Sequence, residues 1–218
     1  MRPTATLHKA PVHPAPLSLE STHSSHRRVD PSTGRWTTRV LPGECYVTGG
    51  NEILTTVLGS CISACIRDPQ VGVGGMNHFL LPVEPGVAPV ADSALGLATR
   101  YGGHAMETLI NELMKRGASR QRLEIKLFGG GRMFASHTDV GLRNIEFIRH
   151  FLEIEGLHSV AEDLGDVYPR TVTYEPATGR ARVKRLKPIE AQSISRQEQD
   201  YMRSVDRKDD GGDIELFN

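Results

Sequence analysis

Between residues 45 and 186 the apolar residues fall into many short strand-like runs and only two stripes of helical spacing. Most of the runs are closed by Gly or Pro turns. That alternation constrains the fold more than any other feature. Segments 45–48, 53–57, 61–67, 71–81, 123–128, 159–162, 171–174 and 181–186 read as strands. Ala105, Met106, Leu109, Ile110, Leu113 and Met114 stripe one helix, which Gly117 ends. Leu142, Ile145, Ile148, Phe151 and Leu152 stripe a second, ending at Gly156. Residues 83–100 read as a loop. Few helices among many strands predict an α/β (α+β) domain, a layered sandwich of mixed β-sheets flanked by helices. The pattern does not fix strand order.

The flanks differ in composition from this middle. Residues 1–40 carry Arg2, Lys9, Arg27, Arg28, Arg35 and Arg39 against Glu20 and Asp30, with five prolines and Trp36 as the one aromatic. This predicts a disordered basic arm. Residues 188–218 are acidic and predict a mostly disordered tail, with a weak polar helix within 193–204. The domain is then 41–187. Lys+Arg and Asp+Glu both count 26, for a formal net charge of +0, which argues against nucleic-acid binding by bulk electrostatics. No apolar run is long enough for a bilayer span, and the first residues lack a secretory apolar stretch. Three cysteines without CxxC resemble neither a disulfide framework nor a zinc site. The expectation is a cytoplasmic protein with no metal, no cofactor and no membrane insertion. Gly129–Gly131 follows a strand, but no Lys-Ser/Thr follows it, so it is not a phosphate loop.

Cys61 follows Leu58-Gly59-Ser60, and Asp68-Pro69-Gln70 reads as the tip of a hairpin. If residue 67 pairs with about 71, Cys61 faces 77, and one bulge at Gly74 or Gly75 brings His78 opposite Cys61. An imidazole there can hold a thiol as the nucleophilic thiolate. The bland alternative is a small core cysteine and a structural histidine. Cys45, Cys65, Met106 and Met114 read as core or neutral, and the histidines of the arm as solvated.

The run TTVLGSCISACIRDPQVGVGGMNHFLLP, residues 55–82, resembles the signature of the bacterial chemoreceptor glutamine deamidases, the CheD family. The likeness continues through RYGGHAMETLINELMKRGA, KLFGGGRMF, IEFIRHFLEIEG, AEDLGDVYPRTV and TGRARVKRL, and it covers essentially all of 41–187. It implies a CheD-like cysteine hydrolase of layered α/β type, related in fold to bacterial toxin deamidases. The expected reaction converts Gln side chains of methyl-accepting chemotaxis receptors to Glu with release of ammonia. The expected partners are the receptors' cytoplasmic helical domains and a CheC-type phosphatase.

By position the resemblance implies Cys61 as nucleophile, His78 as general base and Thr55 as the residue that orients the imidazole. The backbone N–H of Cys61 is the first candidate for the oxyanion, with Ser60 a further donor. Where this chain has Gly131 the family often has Ala. The site is expected to be open to the surface, with Cys61 slightly recessed in a slot for an extended side chain. Rival readings are a cysteine amidase or protease on another substrate, and a non-catalytic adaptor for receptors or a phosphatase. The alternating segment Asp213–Phe217 reads as a solvated tail or a docking peptide.

Overall fold

The computed structural model describes residues 26–31, 33–81, 94–133 and 139–187, together with 193, 194, 196–198, 200 and 201. Ten strands and two helices are named here in chain order. They are β1 (Arg27–Val29), β2 (Trp36–Arg39), β3 (Cys45–Thr48), β4 (Ile53–Leu58), β5 (Ile62–Asp68), β6 (Val73–Asn77), α1 (Ala94–Lys115), β7 (Glu124–Gly129), α2 (Val140–Ile154), β8 (Ser159–Leu164), β9 (Arg170–Glu175) and β10 (Arg180–Arg185). The strands form two five-stranded mixed sheets, ordered β1-β2-β4-β9-β10 and β3-β6-β5-β7-β8. Pairing is antiparallel except at β2–β4 and β7–β8. β7, α2 and β8 make a crossover unit, the connection that a parallel pair requires.

Two apolar layers hold the sandwich together. One lies between the second sheet and the helices, with Ile62, Phe79, Leu109, Leu113, Leu127 and Ile148 among its members. The other lies between the sheets and takes Leu54, Leu58, Cys61, Cys65, Met76 and Tyr174. β4 alternates strictly, with Leu54, Thr56 and Leu58 buried and Ile53, Thr55 and Val57 only partly so. That period of two decides which hydroxyl of the Thr55-Thr56 pair reaches the interior.

Several sequence expectations shift. Residues 94–100, expected in a loop, are helical as the first two turns of α1. Met114, expected in the core, is 43% exposed near the end of α1, and Leu142, part of the expected apolar stripe, is 50% exposed because the buried face of α2 runs through Gly141, Asn144, Ile145, Ile148 and Leu152. Residues 27–29 and 36–39, inside the stretch whose composition suggests disorder, add two strands to the first sheet. Their order comes from β4 and from Glu52, a buried acid that accepts from Arg27 Nε at 3.0 Å and from Thr38 Oγ1 at 2.5 Å. Such a partner in another segment is invisible to local composition. No helix among the described residues is long and apolar enough to cross a membrane.

The hairpin register also differs from the expected one. Asp68 pairs with Val73 and Ile66 with Gly75, so the connection is 69–72 and no bulge occurs at Gly74 or Gly75. Asp68 is the cause. Its carboxylate accepts from Gln70 N and Ser119 N and pairs with Arg122, and Gly72 closes the turn at φ 70°. The strand is thereby carried one residue past Arg67.

Candidate active site

Cys61 and His78 meet by a route other than direct opposition. Ile62 and Phe79 form an isolated antiparallel bridge and exchange both N–H···O bonds at 2.9 Å. Their side chains point to the helix layer. Cys61 and His78 each precede a member of that bridge, so the strand alternation turns both toward the first sheet. Cys61 Sγ, a ring nitrogen of His78 and a carboxylate oxygen of Glu198 all lie within 4.8 Å of one another. All three residues are buried.

Thr56 reaches His78 from β4, across the seam between the sheets. Its Oγ1 lies 2.8 Å from His78 Nδ1 and donates to the Val40 carbonyl at 2.7 Å. A hydroxyl has one proton, and here the carbonyl takes it. Oγ1 must therefore accept from Nδ1–H, which leaves Nε2 as the basic nitrogen of a neutral ring. Nε2 is buried with no hydrogen-bond partner among the described residues. Burial, the largest influence, lowers the imidazole to about 4, while Glu198 acts in the opposite direction. Thr55, the expected orienting residue, sits on the other face of β4 and donates to the Val172 carbonyl at 3.0 Å. The contact with His78 belongs to its neighbour, for the reason of strand period already given.

The turn before β5 is held from behind by its carbonyls. Gly131 N donates to Gly59 O at 2.7 Å, Asn144 Nδ2 to Ser60 O at 2.8 Å and Gly130 N to Cys61 O at 2.8 Å. Asn144 is anchored in turn by Leu81 N, which donates to its Oδ1 at 3.0 Å. A planar trans peptide sets the next N–H opposite to each carbonyl. Fixing the carbonyls of Gly59 and Ser60 backward therefore aims the N–H groups of Ser60 and Cys61 forward. A Cβ at Gly129 would strike the Cys61 carbonyl, and one at Gly131 would lie 2.9 Å from Gly59 O. The glycine run is thus a brace for the nucleophile turn, and Ala at 131 would require that turn to give.

The forward side of the turn converges on one carboxylate. Glu198 Oε1 accepts from Gly59 N at 2.8 Å and Cys61 N at 3.2 Å. Its Oε2 accepts from Ser60 N at 3.0 Å and Ser60 Oγ at 2.7 Å. Successive N–H groups facing one concavity make an anion nest. The donors expected at Cys61 and Ser60 are both here, and Gly59 adds a third N–H. Burial first, and then the adjacent Glu198 carboxylate, push the Cys61 thiol well up.

Glu198 and Asn144 escape sequence reasoning in different ways. Glu198 belongs to helical residues within the span read as a weak polar helix, and nothing local distinguishes it from a solvated acid. Asn144 did leave a trace, because it interrupts the apolar face of α2 at a core-facing position. The expected open slot is instead covered, and Cys61 has no exposure. Asp213–Phe217 lies outside the described residues.

Cys61, His78 and Glu198 are also the set, among the described residues, that could hold a metal ion. Sulfur, imidazole nitrogen and carboxylate oxygen are donors that zinc accepts. Both carboxylate oxygens already accept hydrogen bonds from the turn. The arrangement as it stands is one of hydrogen bonds.

A family model described as CheD chemotactic sensory transduction matches residues 80–185. A probable chemoreceptor glutamine deamidase CheD from Hydrogenovibrio crunogenus is 50% identical over 191 residues, which is 88% of this chain and 99% of that protein. One of the same description from Halorhodospira halophila is 50% identical over 193 residues, covering 88% and 89%. Another, from Hahella chejuensis, is 44% identical over 204 residues, covering 94% and 96%.

Proposed function

The chain belongs to the CheD family, and from that premise we propose that it deamidates glutamine side chains of chemoreceptors through a thioester on Cys61. The observation that carries the reading is the buried, unpartnered Nε2 of His78, on a ring with a nitrogen within 4.8 Å of the Cys61 sulfur and with its Nδ1–H fixed by Thr56. A buried imidazole in that tautomer is a base with one place to act.

In this mechanism His78 Nε2 takes the thiol proton as Cys61 Sγ attacks the carboxamide carbon of the target Gln. The tetrahedral oxyanion lies against the N–H groups of Gly59 and Cys61, the latter preset by the brace behind the turn. The imidazolium then gives its proton to the departing nitrogen, and ammonia leaves. Water, deprotonated by the same Nε2, adds to the thioester, and the C–S bond breaks to leave Glu and restore the thiol. Thr56 holds the ring through both halves and is a positioning residue. Thr55 is assigned no direct part in this scheme.

The test is mass spectrometry of a receptor cytoplasmic fragment after incubation with the protein. Each converted Gln should gain about 1 Da, the difference between a carboxamide and a carboxylic acid. Cys61→Ala should abolish the gain while the protein stays folded. Conversion that survives Cys61→Ala would refute the assignment of the nucleophile.

A further inference from the structure

Glu198 ends in the same place that the product of the proposed reaction would. Its Cδ corresponds to the carbon that Cys61 would attack in a glutamine, and its Oε1 rests on the N–H groups of Gly59 and Cys61. It is presented from a helix, as a glutamine on a receptor helical bundle would be. Two further residues of the same helical stretch anchor it. Ile194, four residues earlier, is 7% exposed and faces the hollow beside Val40, Pro42, Thr56 and His78. Tyr201, three residues later, meets the hydroxyl of Tyr101 on α1 and packs on Gly43, where a Cβ would collide with it. Positions at −4, 0 and +3 lie on one face of a helix, the usual footprint of a helix docked in a groove.

We propose that the segment around Glu198 is a built-in product mimic, which fills the groove meant for a glutamine-bearing receptor helix and keeps the thiol covered until that helix displaces it. The proposal rests on the deamidase reading and adds its mode of substrate binding. The cradle suits a carboxylate better than a carboxamide. Both oxygens of Glu198 accept hydrogen bonds, and a carboxamide would set its NH2 against N–H donors on one side. Burial first, and then the Glu198 carboxylate, push the covered thiol up, as suits a resting state. Gly59 matters here as well, because a Cβ on it would stand 2.9 Å from Glu198 Oε2.

Replacing Glu198 with glutamine in the full-length chain turns the mimic into a substrate. Cys61 Sγ would bond to Cδ of residue 198, the C–N bond would break with release of ammonia, and water would cleave the thioester to regenerate glutamate. Peptide mass spectrometry of Glu198→Gln should therefore find residue 198 reverting to Glu, with a gain of about 1 Da. It should stay Gln when Cys61→Ala is added. In parallel, Glu198→Ala should raise the rate of Cys61 alkylation by iodoacetamide on the order of tenfold, read at the Cys61 peptide. A Glu198→Gln preparation that deamidates a receptor fragment yet keeps its own introduced carboxamide would overturn the product mimic, as would an unchanged alkylation rate in Glu198→Ala. Conversion of neither that carboxamide nor the receptor would bring down the deamidase reading itself, and the mimic with it.

Discussion

Thr56 Oγ1 lies 2.8 Å from His78 Nδ1, whereas the hydroxyl of Thr55, one residue earlier, is turned to the Val172 carbonyl at 3.0 Å. A single step along β4 separates a hydroxyl inside the site from one outside it.

Replacing each threonine by valine keeps the β-branched shape and removes only the hydroxyl. Thr56→Val should lower kcat on the order of 10- to 100-fold with little change in KM, since a misdirected imidazole costs orientation. The acid limb of its kcat/KM profile should also move, because Nδ1–H loses its acceptor. Thr55→Val should stay within about twofold of the parent, its lost hydrogen bond being remote from the ring. Equal losses in the two variants would show that Thr56 does not orient His78.

His78 should also make folding sensitive to acid. Burial lowers its folded value to about 4, against an ordinary value of about 6.5. Between those values the unfolded chain binds the extra proton, so stability rises with pH across this window and is fully gained above about 6.5. At pH 5 the site should contribute about 2 kcal/mol less than at pH 7. Urea unfolding at both pH values, on the parent and on His78→Leu, measures it. A variant that keeps the full pH slope would place that slope elsewhere.

Asn144 couples the helix layer to the nucleophile turn. Asn144→Asp retains an acceptor for Leu81 N and loses the donor to the Ser60 carbonyl. With that carbonyl released, the N–H of Cys61 is no longer aimed at the oxyanion. We expect kcat to fall on the order of tenfold, with less effect on KM, because the loss falls mainly on the transition state. A rise in KM at constant kcat would assign Asn144 to substrate binding instead.

Much of the fold was legible because it is written in local periods. β3 has the bounds its sequence suggests, β4, β5, β7, β8, β9 and β10 depart by one or two residues at one or both ends, and β6 is Val73–Asn77 where 71–81 was expected. The Cys61–His78 pairing was legible as a pairing, though through the wrong register. The extra strand residue at Asp68 depends on Arg122 and Ser119, more than fifty positions away. The exchange of Thr55 for Thr56 was decided by which face of β4 meets the second sheet, and spacing from Cys61 carries no such information. Met114 and Leu142 show the limit of an apolar stripe, since each lies at its margin. Glu198 is the extreme case, contacting residues up to 139 positions away with no local signature.

The brace behind Cys61 has a consequence for how this site can be lost. The donors that face Glu198 from Gly59, Ser60 and Cys61 are mostly main-chain groups, and ordinary side-chain replacement does not delete a main-chain donor. Vulnerability is thereby displaced from the front of the turn to its back. There the Gly130 and Gly131 amides and Asn144 hold the carbonyls. Damage at those positions would leave every reacting group present in the sequence and dissolve the geometry that makes them a site. A chain with an intact Cys61 and His78 is therefore not, on that ground alone, a working one.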